Sequence, residues 1–301
     1  MKILCAVDGS EFSQWAIEAV GALGRNALSS VTLLHVADTR HLKSVGAPHV
    51  ATYRGAKAAL EKSGEDILRR AASHTEVALS QSAVRPRTAV RTLLLRGSPA
   101  STIARCAAQE RSDLIVLGTR GLSDIKGFLL GSIARQVASL AACSVLVVKR
   151  PIKTARQILL SVDESKYSQR AAKFLRSGIL PETENIIIFS SAITPITELA
   201  ARHLTEQQIN ALNKPILERA TDFVAKMRDD FIKEGFTVTT EVQFNHVVDA
   251  IIRIATYNHA DLLVVGSRGL SVREGLRLGS VSESLLRHAP CSILIVRDAR
   301  A

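Results

Sequence analysis

The chain has 301 residues, enough for about two domains of ordinary size. Apolar residues make up 47% and charged residues 22%, the balance of a soluble globular chain, and no apolar run approaches the ~20 residues that span a bilayer. The net charge is +11, with 20 Lys and Arg against 11 Asp and Glu in residues 1–150; only 4% of residues are aromatic and no stacking motif accompanies Arg85, Arg87, Arg91 and Arg96, so a solvated basic face is expected rather than a sequence-reading nucleic-acid module.

The opening stretch, MKILCAVDGSE, meets an aspartate too early for a secretory signal, and a cytosolic chain is expected. A strand ending at Asp8 is followed by Ser10 and Ser13, which read as N-caps of the helical stretch FSQWAIEAVGAL. A second strand is predicted over Val31–Asp38; His35 within it reads as a hydrogen-bonded residue rather than a catalytic one. Residues 39–79 are mostly helical, with an irregular first part that could lie over a ligand mouth. His41 and His49 there lack metal-ligand spacing and read as surface residues. A third strand over Ala89–Leu95 leads into Gly97-Ser98-Pro99-Ala100, a turn with proline at a helix start. The apolar run Leu114–Leu117 then enters a glycine loop, and a helix and the strand CSVLVVKR close the half.

The order returns after the polar link Arg150–Thr154. A strand ends at Asp163, with Ser165 and Ser168 as caps; strands follow over Asn185–Ile193 and Thr237–Phe244, separated by residues 194–234, mostly helical with an irregular or interrupted first part. Asn245-His246-Val247-Val248-Asp249 stands where the first half has its proline turn. The run Leu262–Val265, a second glycine loop and the strand CSILIVRD complete the chain. Each half therefore reads β-α-β-α-β-α-β-α-β, giving an α/β fold of two tandem open, doubly wound, five-stranded parallel sheets of Rossmann-like type, with domains at 1–150 and 151–301. Cys5, Cys106, Cys143 and Cys291 lie in or beside apolar runs without metal or CxxC spacing, and are expected to be buried and reduced.

The two glycine loops are copies of one pattern. In each, Gly-x-x-Gly is followed by nine residues and Gly-Ser: Gly118, Gly121, Gly131, Ser132 and Gly266, Gly269, Gly279, Ser280. Glycines permit a sharp turn and a close backbone approach to a ligand. The Gly-Ser pair marks a helix start, where free N–H groups and the helix dipole favour an anion. The serine hydroxyl could cap the helix or donate to a phosphate. Arg120 and Arg268 add a cation between the first two glycines. One copy alone is equally well read as a tight turn with an ordinary cap; two copies with one spacing favour phosphate binding.

This pattern resembles that of the universal stress protein family, whose ATP-binding members carry Gly-2x-Gly-9x-Gly-(Ser/Thr), and the chain looks like a tandem member. The resemblance implies an adenine nucleotide alpha-hydrolase-like fold and one ATP site per half, with which Mg2+ could associate. It implies that Asp8 and Asp163 contact adenine and that Val36 and Ser191 touch the base through the backbone. Gly118, Arg120, Gly121, Gly131, Ser132 and Ile133 would surround ribose and phosphates in the first site; Gly266, Arg268, Gly269, Gly279, Ser280, Val281 and Ser282 would do so in the second. Ser282 offers a hydroxyl where the first half has Ala134. The resemblance further implies pairing of the halves through Val145–Val148 and Ile293–Val296, with a homodimer of chains as a further expectation.

No GxxxxGK[ST], kinase motif set, GxSxG or HExxH occurs, and no residue is placed as a general base; at most slow ATP hydrolysis or self-phosphorylation is expected. The leading reading is a nucleotide-binding regulatory protein of stress response. Two others stand beside it: an interaction scaffold without nucleotide, and a polyanion- or nucleic-acid-associated protein using the basic first half.

Overall fold

The computed structural model describes residues 1–23, 28–40, 50–80, 88–121, 130–152, 155–179, 185–192, 194, 196–244, 246–269 and 278–297. The first half runs β1 (Lys2–Ala6), α1 (Glu11–Ala22), β2 (Ser30–Ala37), α2 (Val50–Ser80), β3 (Ala89–Arg96), α3 (Pro99–Gln109), β4 (Leu114–Gly118), α4 (Ser132–Leu140) and β5 (Ser144–Val148). The second runs β6 (Gln157–Val162), α5 (Lys166–Phe174) with a π-helical turn at Leu175–Ile179, β7 (Asn185–Ala192), α6 (Glu198–Ala201), α7 (Glu206–Lys233), β8 (Val238–Phe244), α8 (Val247–Tyr257), β9 (Leu262–Gly266), α9 (Ser280–His288) and β10 (Ser292–Val296). His41, His49, Arg85, Arg87, Ile193 and Asn245 lie outside the described residues.

The strands are short apolar runs because both of their faces are covered. Ile3, Cys5, Leu114 and Val116 pack beneath α1 and α2, while Leu4, Ile115 and Leu117 pack on the opposite side with α3 and α4. Parallel pairing of β1 with both β2 and β4 leaves a switch in strand order at the carboxyl ends of β1 and β4. Such a switch opens a crevice that α/β folds use for ligands. The second half repeats this with β6 between β7 and β9.

The five-stranded sheets of the two halves join edge to edge through their last strands, giving one sheet in the order β3-β2-β1-β4-β5-β10-β9-β6-β7-β8. Its junction is antiparallel: Leu146 faces Leu294, flanked by Val145–Ile295 and Val147–Ile293. Every residue of β5 and β10 is buried, whereas the edge strand β3 is largely exposed. Ile152 of the link and Ala155 just after it are buried in the core.

Caps fall where the serines led. Ser10 Oγ accepts from the Ser13 N–H at 3.2 Å, and Ser165 Oγ accepts from the Ser168 N–H at 3.3 Å. The interruption expected in the first part of residues 194–234 falls between α6 and α7, where Thr205 starts a new helix with a capping box to Gln208. All four cysteines are free and buried.

Candidate functional site

The carboxyl ends of β1, β2 and β4 frame a cleft of ≈ 580 Å³, including the space at its open mouth. From the β1 end come Val7 and Asp8, from β2 His35 and Val36, and from the β4 end Gly118, Thr119, Arg120 and Gly121. Pro99 and Ile103 of α3 and Ile133 and Ala134 of α4 close the other wall. Six residues anticipated from the sequence thus meet in one place: Asp8, Val36, Gly118, Arg120, Gly121 and Ile133. Gly131 and Ser132 adjoin the cleft at the start of α4 but do not line it.

The turn after β1 shows how the aspartate is aimed. Asp8 Oδ1 accepts from the Ser10 N–H at 3.0 Å and the Ser10 hydroxyl at 2.6 Å. Gly9 between them has φ +84, a conformation that side chains rarely adopt. The Asp8 carboxylate thus braces the capping serine while it lines the cleft. His35 is committed as well: its Nδ1 is paired with the Val7 carbonyl at 2.8 Å, in line with a structural histidine.

The glycine loop is pinned at both ends. The Thr119 N–H donates to Val148 O at 2.8 Å, and the Gly131 N–H donates to Thr119 O at 2.8 Å. This places the start of α4 beside the end of β4. Gly131, not Ser132, is the N-cap, and no side chain caps the helix. The first-turn N–H groups of Ser132, Ile133 and Ala134 consequently lack intrahelical partners by helix geometry. Capping by Ser132 or Ser280, anticipated above, does not occur; α9 also begins without a side-chain cap, after Gly279.

The first glycine of each motif has a role that its loop position hides. A Cβ on Gly118 would lie 2.6–2.7 Å from the Cβ and backbone of Phe12, and one on Gly266 would lie 2.8–2.9 Å from Tyr167. These glycines let the first turn of α1 or α5 rest on the end of a strand. The same aromatics carry the loop arginines: Arg120 lies over the Phe12 ring at 4.8 Å, and Arg268 over the Tyr167 ring at 5.7 Å. The pairing went unread in the sequence, although an aromatic two residues after each capping serine and an arginine two after each first glycine were its signal. Arg120 Nε is buried without a hydrogen-bond partner. An anion over the α4 start would meet that cation and the uncapped amides together, so the residues present fit a phosphate group.

The second half keeps the frame but differs in detail. The Ser267 N–H donates to Val296 O at 3.0 Å and the Gly279 N–H to Ser267 O at 2.9 Å. Asp163 Oδ1 accepts from the Ser165 N–H at 3.1 Å, while its other oxygen lies 2.7 Å from where a Cβ of Gly269 would sit. Ser282 is not a spare phosphate donor: its buried hydroxyl donates to Gly266 O at 2.8 Å. Ser191 pairs in register with Gln243 on β8, and Val281 of α9 packs partly buried against the core. Where the first half has Gly9, Glu164 stands and pairs with Arg219 of α7.

Elsewhere the basic face is largely neutralised where it is described. Arg91 pairs with Glu110, and Arg96 with Glu61 at 2.6 Å. Among the described residues no group of three His, Cys, Asp or Glu could hold a metal ion, and no helix is long and apolar enough to cross a membrane.

Comparison with known proteins gives one result. The model of the universal stress protein family matches residues 1–149 and again 154–297. A universal stress protein of Methanocaldococcus jannaschii is 31% identical over 152 residues, covering 50% of this chain and 84% of that protein. One from Bacillus subtilis is 29% identical over 153 residues, covering 49% and 98%. The crystal structure of a universal stress protein from Archaeoglobus fulgidus superposes with a TM-score of 0.67 over 98% of this chain and 96% of its own, at 21% identity, and so shares the fold. With the family pattern matched twice and the fold shared end to end, the chain belongs to the universal stress protein family and carries two such domains in tandem.

Proposed function

We propose that the chain binds adenine nucleotide, ATP foremost, in the cleft of its first half, and that the second half holds a related site around Asp163, Arg268 and the start of α9. The observation that supports this most is the buried, unpartnered Nε of Arg120 beside the uncapped start of α4. A cation and free amides converging on one space suit a phosphate chain. Asp8 and the strand end at Val36 would take the base, Gly118 and Gly121 the ribose, and Arg120 with Gly131–Ala134 the phosphates. Mg2+ would ride on phosphate oxygens and water rather than on a protein cage. The domain division at 150/151 follows the same duplication.

The role is one of nucleotide-dependent regulation in the cytoplasm during stress, not of turnover. Among the described residues, the histidine and the carboxylate of the cleft both have structural duties: His35 holds Val7 O, and Asp8 holds Ser10. Calorimetric titration with ATP tests the reading. Wild-type protein should bind in the micromolar range or tighter, and Arg120→Ala should weaken binding roughly tenfold or more, the worth of a charge-assisted hydrogen bond. The same variant should bind adenosine as wild type does. Absence of heat with wild type at millimolar ATP, or an Arg120→Ala titration matching wild type, would defeat it.

A further inference from the structure

The junction between the halves contains a set of polar contacts that obey its pseudo-twofold symmetry. The Lys149 N–H donates to Ser292 Oγ at 3.0 Å, and the Arg297 N–H donates to Ser144 Oγ at 3.2 Å. Beyond these backbone links, the two side chains cross over. Lys149 Nζ, just past β5 of the first half, donates to the Ala289 carbonyl at 2.8 Å, and Ala289 is the C-cap of α9. Arg297, just past β10 of the second half, donates to the carbonyls of Ala141 and Ala138 at 2.6 and 2.5 Å, and Ala141 is the C-cap of α4. Both cations therefore sit on helix C-termini that belong to the opposite half.

Those are the two helices whose N-termini face the glycine loops. A helix of nine residues is a rod of roughly 13 Å at 1.5 Å per residue, too short to bend appreciably. Holding its carboxyl end fixes where its amino end presents free N–H groups. A cation at the C-terminus also satisfies orphan carbonyls and complements the helix dipole. At the other end Arg135 of α4 approaches Glu283 of α9 at 4.0 Å, a partly exposed pair that adds little.

We propose that Arg297 and Lys149 are crossed positioning residues: each, from the last strand of one half, sets the anion-binding helix of the other half. Arg297 positions α4 for the first site, and Lys149 positions α9 for the second. This rests on the nucleotide reading above for its functional consequence, but its structural core does not require a ligand. It makes each site depend on the partner domain, so that neither half would bind at full strength alone.

Trp15, the one tryptophan of the chain, stacks edge-on with Phe12 at 4.9 Å beneath Arg120 and so reports on the first site. Full-length Arg297→Ala should weaken the ATP affinity read by Trp15 fluorescence at least about threefold, in keeping with a cation at a helix C-terminus. Arg297→Lys should restore most of it. Lys149→Ala, although it alters the first half itself, should leave the Trp15-reported affinity within twofold of wild type. Hydrogen exchange without nucleotide gives the second readout: Arg297→Ala should speed exchange in residues 132–140 and Lys149→Ala in residues 280–288. If Arg297→Ala does not fold, Arg297→Gln, which keeps one donor, serves in its place. Equal losses at the first site from both variants, or exchange that rises in each variant's own half, would overturn the proposal. Wild-type protein that binds no ATP, together with crossed exchange in the two variants, would remove the nucleotide reading and keep the positioning one.

Discussion

Gly118 shows how one residue type can serve packing where a ligand was expected. Its Cα hydrogen faces the first turn of α1, and a methyl group there would run into the backbone of Phe12 at 2.7 Å. Backbone cannot swing aside as a side-chain tip can, so α1 would have to retreat from β4. Gly118→Ala should therefore cost about 1–3 kcal/mol of stability, as overpacking does. Chemical denaturation would register the loss, and an unchanged midpoint would show that α1 is not seated as described. The cleft residues Asp8, Arg120 and Gly121 were legible because a strand end and glycine spacing mark them, and Val36 came through the family resemblance. Ser282 and Ser132 were not, because a hydroxyl in a sequence does not say whether it turns toward Gly266 O or toward a ligand. That choice is made by packing around α9, which only the folded chain contains.

At the scale of elements, the buried groups around the junction strands give the fold a characteristic response to alkali. Desolvation pushes Lys149 down to about 8, with the nearby Cys291 opposing it. Desolvation likewise pushes Cys143 and Cys291 up to about 11 and Cys5 up to about 12. For the lysine, the unfolded chain keeps its proton up to the ordinary value of 10.5, so folding becomes more favourable as pH rises above about 8. For the cysteines the sign is reversed: their contribution is whole below the ordinary 9.0 and is lost as pH climbs through 11–12. Thermal melts should rise slightly from pH 8 to 9 and then fall. Lys149→Met should abolish the rise and keep the fall; a rise that survives in that variant would misplace its origin. The strands and the helices near the loops were readable from apolar runs and serine caps. The break between α6 and α7 was read only as an interruption, since Thr205 and Gln208 form their capping box within a stretch whose helical composition continues on both sides.

As a whole molecule, the chain is a single sheet with helices on both faces, and its core does not stop at the domain division. Leu146 and Val148 of β5 share one cluster with Leu294 and Val296 of β10, with Ile152 of the link and with Ala155 just after it. A shared core makes the halves unfold together. Leu146→Ala should lower the stability of the entire chain by about 2–5 kcal/mol, and calorimetry should show one transition whose calorimetric and van't Hoff enthalpies agree. Two separate transitions would mean that the junction does not couple the halves. Duplication was plain in the sequence from the matched glycines, but the reciprocal hold of Lys149 and Arg297 was not, because it depends on which strands meet. The most direct measurement is a crystal structure of the full chain grown with ATP. It should show the triphosphate over Gly131–Ala134 against Arg120, with the adenine beside Asp8 and Val36. A cleft left empty at saturating ATP, or nucleotide bound away from the start of α4, would contradict it.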